Sequence, residues 1–153
     1  MSTIEARLTE LGVVIQSPGA PAGSYVPAVR TGNLVYLSGQ IPKVTGQMLA
    51  SGAVPSKVSV EKAQECARAC VVNALSVLKA ELGDLDRIRR IVRVGVFVCS
   101  DPGFTDQPKV GNGASDFLVS VFGEKGKHAR AAVGSVALPL GAPVEVEMIV
   151  EVE

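Results

Sequence analysis

The sequence predicts an α+β fold, a mixed β-sheet with two helices packed on one face. Three stretches carry the prediction. Residues 59–82 repeat apolar side chains at helical spacing. "VGVFVC", residues 94–99, is apolar on both faces, as a central strand is. The chain closes on "VEVEMIVEVE", which sets apolar residues at every second position against glutamates.

Taken in order, Ser2 to Leu11 reads as a first helix stopped by Gly12, followed by the short apolar run "VVIQ". "SPGAPAGSYVP" is loop, by its glycines and prolines. "AVRTGNLVYLSGQI" is a hairpin turning on "TGN", because Gly32 and Asn33 tolerate positive φ. "PKVTGQMLASGAVPSK" is a second loop with room for an edge hairpin. Ser59 caps a helix that runs to Leu82 and ends at Gly83. Ala63, Ala67, Cys70, Val71, Ala74, Leu78 and Leu82 form its sheet-covering face. "IRRIVRVGVFVCS" is the central strand, and a further helix is expected from about Gly113 to Phe122.

The last two strands are expected to pair as a hairpin around "LPLGAP". Arg130 would then face Val152, and Glu145 would face Ala137. The two charges would lie about seven residues apart, roughly 23 Å at about 3.3 Å per residue, and could not meet inside one chain. They could meet across a subunit boundary, or each could be solvated trim. Val144, Val146, Met148, Val150 and Val152 form one face of the last strand. With helices on one side only, an apolar outer face calls for a partner chain.

The chain has 153 residues, 47% hydrophobic and 20% charged, without an internal repeat, and reads as one domain over residues 1–153. Fifteen basic residues balance fifteen acidic ones. Two Tyr, four Phe and no Trp leave little for base stacking, so composition argues against nucleic acid as a partner. No apolar run approaches a membrane span, and the N-terminus has no signal-peptide pattern. Three cysteines, an odd number, point to free thiols in a reducing cytoplasm.

Cys66 and Cys70 are one helical turn apart, but with Cys99 and His128 as the remaining soft donors the expectation is core thiols and no metal. His128, in "EKGKHAR", reads as a solvated loop histidine. "GNGASD", residues 111–116, lacks the spacing of a phosphate loop, and its glycines suit a turn into the helix, with Asn112 either capping it or reaching a ligand. Ser38 ends a strand just before Gly39, where a hydroxyl can face a pocket.

"GSYVPAVRTGNLVYLSGQIP", "GDLDRIRRIVRVGVFVCS" and "HARAAVGSVALPLGAPVEVEMIVEV" together resemble the RidA (YjgF-like) family, also catalogued as L-PSP endoribonucleases. The resemblance implies a chorismate-mutase-like fold and a homotrimer with three clefts between subunits. It also implies hydrolysis of reactive enamines and 2-imino acids to 2-oxo acids and ammonia, without a cofactor. The family's carboxylate-binding arginine falls on Arg130, its site tyrosine on Tyr25, and its site serine and the glycine after it on Ser38 and Gly39. Its helix-start asparagine falls on Asn112, with one residue inserted before Arg130, and its late glutamate on Glu145.

In the chemistry so implied, Arg130 holds the carboxylate of a small 2-imino or 2-oxo acid as a fork. Glu145 positions or deprotonates a water, backbone near Gly39 shares that work, and Tyr25 closes the pocket. Many members carry cysteine two residues after the arginine, where this chain has Ala132. That departure keeps a second reading open, a non-catalytic carboxylate-binding or regulatory trimer. The third, an endoribonuclease, has neutral charge, few aromatics and a lone histidine against it.

Overall fold

A computed structural model describes residues 2–21 and 23–153; Met1 and, within the loop expected over 17–27, Ala22 lie outside the described residues. Helix α1 (Thr3–Glu10) starts at Ser2, whose hydroxyl accepts from Glu5 N at 3.0 Å. Strands β1 (Ala28–Thr31) and β2 (Leu34–Gln40) form the expected hairpin, with Gly32 at φ +60° in its turn. The following loop carries the edge hairpin, β3 (Lys43–Val44) and β4 (Gln47–Met48).

Helix α2 (Val60–Leu82) runs between the predicted signals: Ser59 Oγ accepts from Lys62 N, and Gly83 takes φ +79° at the other end. All seven residues of its predicted apolar face are buried. Strand β5 (Ile88–Cys99) follows a 3-10 turn at Leu85–Arg87. Then come α3 (Gln107–Phe122), β6 (Ala129–Ser135) and β7 (Val144–Val152).

The sheet order is β1-β2-β7-β5-β6, and β5–β6 is its one parallel pair. The expected closing hairpin is therefore corrected: β5 lies between β6 and β7. The segment from Val136 to Pro143 steps over the end of β5, where Ser100 N donates to Ser135 O and Cys99 N donates to Pro143 O, both at 2.9 Å. Leu140, at φ +58°, and Gly141, at φ +74°, turn that crossing.

A second correction concerns β7. Its stripe from Val144 to Val152 faces the helices and is buried in the core, paired with the equally buried Val94, Val96 and Val98 of β5. The helix-free face instead carries the glutamates, with apolar side chains between them. Tyr36 is 45% exposed there and Val133 47%. The Val144 stripe is thus core, and the outer face expected of it is the opposite side of the same strands.

The first turn of helix α1 is held by the Asp86 carboxylate, and further along the helix Arg7 reaches Ser120 O and Glu5 pairs with Lys79. Asp86 accepts from Thr3 N at 2.8 Å and Ile4 N at 2.9 Å, and Leu8 is buried beneath. These donations, Ile4's the larger, hold the Asp86 carboxyl below its ordinary range. Among the described residues, no helix is long and apolar enough to cross a membrane.

A depressed folded-state pKa contributes stability that is present above the unfolded-state value and lost as pH falls through the folded one. Acidification should therefore loosen α1 before the sheet. Asp86→Ala should do the same at neutral pH, raising hydrogen exchange of the amides of residues 3–10 while those of α2 and β5 keep their protection.

Candidate functional site

Arg130 sits on the edge strand β6 in register with buried Val94, so its side chain lies on the helix side of the sheet. It runs under α3. Its Nη1 donates to Asn112 Oδ1 at 2.9 Å and to Ser115 Oγ at 3.1 Å. The guanidinium can lie that close because position 111 is glycine; a Cβ there would stand 3.1 Å from Nη1 and 3.3 Å from Cζ. Gly113 answers a different approach, since a Cβ there would meet Gln64 O at 2.2 Å, where α2 and α3 touch backbone to backbone.

The glycines of "GNGASD" are therefore inside α3, and the expected turn before Gly113 is corrected. The helix begins at Gln107 with Pro108 in its first turn, where the missing N–H has no helical partner to lose. Asn112 consequently neither caps the helix nor precedes it. Asn112 and Ser115 are three apart on one helix face, both turned to Arg130.

His128 is also corrected. It is half-buried, with Nδ1 2.6 Å from Gly126 O and Nε2 2.8 Å from Ser115 Oγ. Sequence reasoning missed Ser115 altogether. The available signal was the three-residue spacing from Asn112, legible only once α3 is allowed to begin before its glycines.

The other expected residues gather elsewhere. Between Leu37 and Gln40 the register of β2 against β7 shifts by one residue, a bulge holding Ser38 and Gly39. Ser38 Oγ donates to Val26 O at 2.7 Å and so ties down the loop that carries Tyr25, rather than facing a pocket free. Tyr25 is half exposed and lines a cleft of about 300 Å³ with Ser38, Gly39, Gln40 and Asn73. Glu145 lies against Gly39 so closely that a Cβ there would stand 2.1 Å from its Oε1. Burial, with a smaller contribution from Glu147, raises the Glu145 carboxyl above its ordinary range. A carboxylate so raised is suited to take a proton from water.

One chain does not bring Arg130 and Glu145 together. Arg130 is level with Val94 and Glu145 with Phe97, three residues along β5. An odd separation places them on opposite faces, roughly 10 Å apart along the strands and two strands across. The expected residues thus form two separate groups. Arg130, Asn112, Ser115 and His128 stand at one edge under α3; Glu145 lies against Gly39, and the cleft of Tyr25, Ser38 and Gly39 opens beside Asn73 of α2. Ala132 follows Arg130 on the helix side, next to Gly111. A larger cavity, about 390 Å³ between α1 and α2, contains none of these residues.

All three cysteines are free and buried, with Cys70 close behind Glu145. Burial pushes the Cys66 thiol up to about 11 and raises Cys70, whose Sγ donates to Val144 O. Among the described residues, no group of three or more His, Cys, Asp or Glu is placed to hold a metal ion.

Residues 5–152 match a family model described as "YjgF/chorismate mutase-like, putative endoribonuclease". The chain is 46% identical over 149 residues to Protein TCP17 of Trypanosoma cruzi, covering 97% of this chain and 93% of that one. It is 32% identical over 142 residues to a 2-iminobutanoate/2-iminopropanoate deaminase of Dermatophagoides farinae, covering 92% and 96%. A crystal structure of an Agrobacterium tumefaciens protein superposes with a TM-score of 0.92 at 46% identity, over 98% of this chain and 92% of that one.

The like charge of Glu147 contributes to the raised Glu145 carboxyl, so Glu147→Gln should move its midpoint down towards the ordinary carboxylate range. Carbon-13 NMR titration of the glutamate carboxyls measures this, with Glu145→Gln identifying the resonance. The stability sign is the reverse of that at Asp86. A raised carboxyl favours the fold at low pH, and that contribution is lost as pH rises through the folded value.

Proposed function

From the premise that the chain belongs to the YjgF/chorismate mutase-like family, we propose that it hydrolyses small 2-imino acids to 2-oxo acids and ammonia, in clefts between the subunits of a homotrimer. The observation that carries the reading is the division of the site. An arginine with a free donor edge and a carboxylate with a raised pKa occupy opposite faces of one sheet. Packing the helix-free face of one copy beside the β6 edge of the next supplies each cleft with one of each. The exposed Tyr36 and Val133 give that face an apolar contact to bury.

In the reaction, Arg130 binds the substrate carboxylate and fixes the adjacent C=N carbon beside the partner copy's half-site. Starting from the protonated imine, Glu145 accepts a proton from water as the oxygen bonds to that carbon and the C=N π pair moves to nitrogen, giving a neutral carbinolamine. Glu145 returns its proton to the nitrogen, the C–N bond breaks with its electron pair leaving on ammonia, and the hydroxyl gives its proton back to Glu145 as the carbon becomes the ketone of the 2-oxo acid. Imines hydrolyse unaided, so positioning one water and one carbon supplies a large share of the required acceleration. The backbone at Gly39 lies beside the reacting water, and Tyr25 closes over the substrate.

Ala132 favours one other reading, a trimer that binds a small carboxylate without turning it over. It stands beside Arg130 where many relatives of the RidA type carry cysteine. The proposed hydrolysis needs no thiol, so Ala132→Cys should leave turnover within about twofold.

The test is direct observation of imine decay after a dehydratase acts on serine or threonine. Wild type should accelerate it. Arg130→Ala should lower kcat/KM roughly ten- to a hundredfold, the loss expected for a charge-assisted pair of about 1.5–3 kcal/mol. Arg130→Lys should also be poor, because an ammonium replaces two parallel donors with a point charge. Wild type no faster than buffer would end the deaminase reading and leave the binding one.

A further inference from the structure

Resting on the reading that Arg130 binds the substrate carboxylate, we propose that Ser115 and His128 are positioning residues. In series, they decide which edge of the guanidinium meets the substrate. In the neutral imidazole the hydrogen bonds have one consistent direction. Gly126 O can only accept, so the proton on the His128 ring sits on Nδ1 at 2.6 Å from it. In the neutral ring Nε2 is then an acceptor, and the Ser115 hydroxyl donates to it at 2.8 Å. With its proton so committed, Ser115 Oγ turns its lone pairs outward and accepts from Arg130 Nη1 at 3.1 Å.

The second proton of Nη1 goes to Asn112 Oδ1 at 2.9 Å. Both protons of Nη1 are thereby used. A guanidinium binds a carboxylate either end-on, through Nη1 and Nη2, or side-on, through Nε and Nη2. The end-on edge is closed here. Among the described residues Nε and Nη2 have no acceptor, so the side-on edge is the one presented.

The direction propagates from the backbone. Gly126 orients His128, His128 orients Ser115, and Ser115 with Asn112 orients Arg130. The arginine itself is only half-buried on an edge strand, so packing within the chain does not by itself fix its plane; Gly111 lets it approach the helix without gripping it. Ser115 and His128 touch no reacting atom. Their contribution is that a flexible side chain waits in one orientation, which reduces the ordering cost of binding.

The chain has one histidine, so its ring nitrogens can be read without assignment ambiguity. Long-range proton–nitrogen NMR of the full-length protein at neutral pH should show the Nδ1–H tautomer, with Nε2 unprotonated. Ser115→Ala and His128→Ala should each raise KM for 2-iminobutanoate about tenfold and weaken 2-oxobutanoate binding equally, with kcat within about twofold. The double variant should be no worse than either single, because the two act through one contact. His128→Gln, which can offer an acceptor to Ser115, should recover much of the loss. In an Arg130→Ala background neither substitution should cost anything further.

An Nε2–H tautomer overturns the proposal. So does 2-oxobutanoate affinity unchanged by Ser115→Ala, or an equal penalty with and without Arg130. Failure of the parent reading looks different: wild type would not accelerate imine decay, while the tautomer and the 2-oxobutanoate affinities still judge the positioning network.

Discussion

The pleat of the sheet is the constraint on which the rest depends. Side chains on a strand alternate between two faces, and here only one face has helices. The alternation of β7 sends five apolar residues into the helix-covered core and turns Glu145 and Glu147 outward. The same rule, carried through β5 to β6, sends Arg130 inward beneath α3. An odd register difference between Arg130 and Glu145 thus puts the two charges on opposite faces of the sheet. It leaves Glu145 half-buried with an unpaired, raised carboxyl and Arg130 with an open donor edge.

Close backbone approach is the second recurring device. Gly39 and Gly113 stand where a methyl group would collide with the Glu145 carboxylate or with the α2 backbone that fixes α3, and Gly111 where one would crowd the Arg130 guanidinium. The bulge at Ser38–Gly39 does similar work. It interrupts the β2–β7 ladder, frees Ser38 to hold the Tyr25 loop, and brings Gly39 against Glu145. At these three positions glycine serves for room rather than for a turn.

Local signals made much of the fold legible in the sequence. Ser59 and Gly83 bound α2 because a hydroxyl cap and a positive-φ stop are properties of single residues. The first hairpin followed from "TGN", and β5 and β7 from their apolar patterns. Three features were not legible. The place of β5 between β6 and β7 depends on a crossing at Val136–Pro143 that resembles a tight turn in sequence but spans a strand in space. The start of α3 was hidden because two glycines in six residues argue for a turn, whereas tertiary contact with Gln64 and Arg130 is what they serve. The direction of the β7 stripe was ambiguous because alternation reveals two faces without saying which one the helices cover. Of the site, Arg130 and Glu145 stood out by charge at strand starts, while Ser115 and His128 did not. Thirteen residues separate them, and only the return of the chain from α3 to β6 brings them together.

The central claim is that each cleft takes its arginine from one copy and its glutamate from another, and complementation tests it most directly. Arg130→Ala and Glu145→Gln proteins, each strongly impaired alone, are co-refolded in equal amounts and assayed for imine decay. Random mixing in a symmetric ring should restore about a quarter of the clefts, and with them activity. A mixture as inactive as its components would contradict the account, because both residues would then have to serve from the same chain.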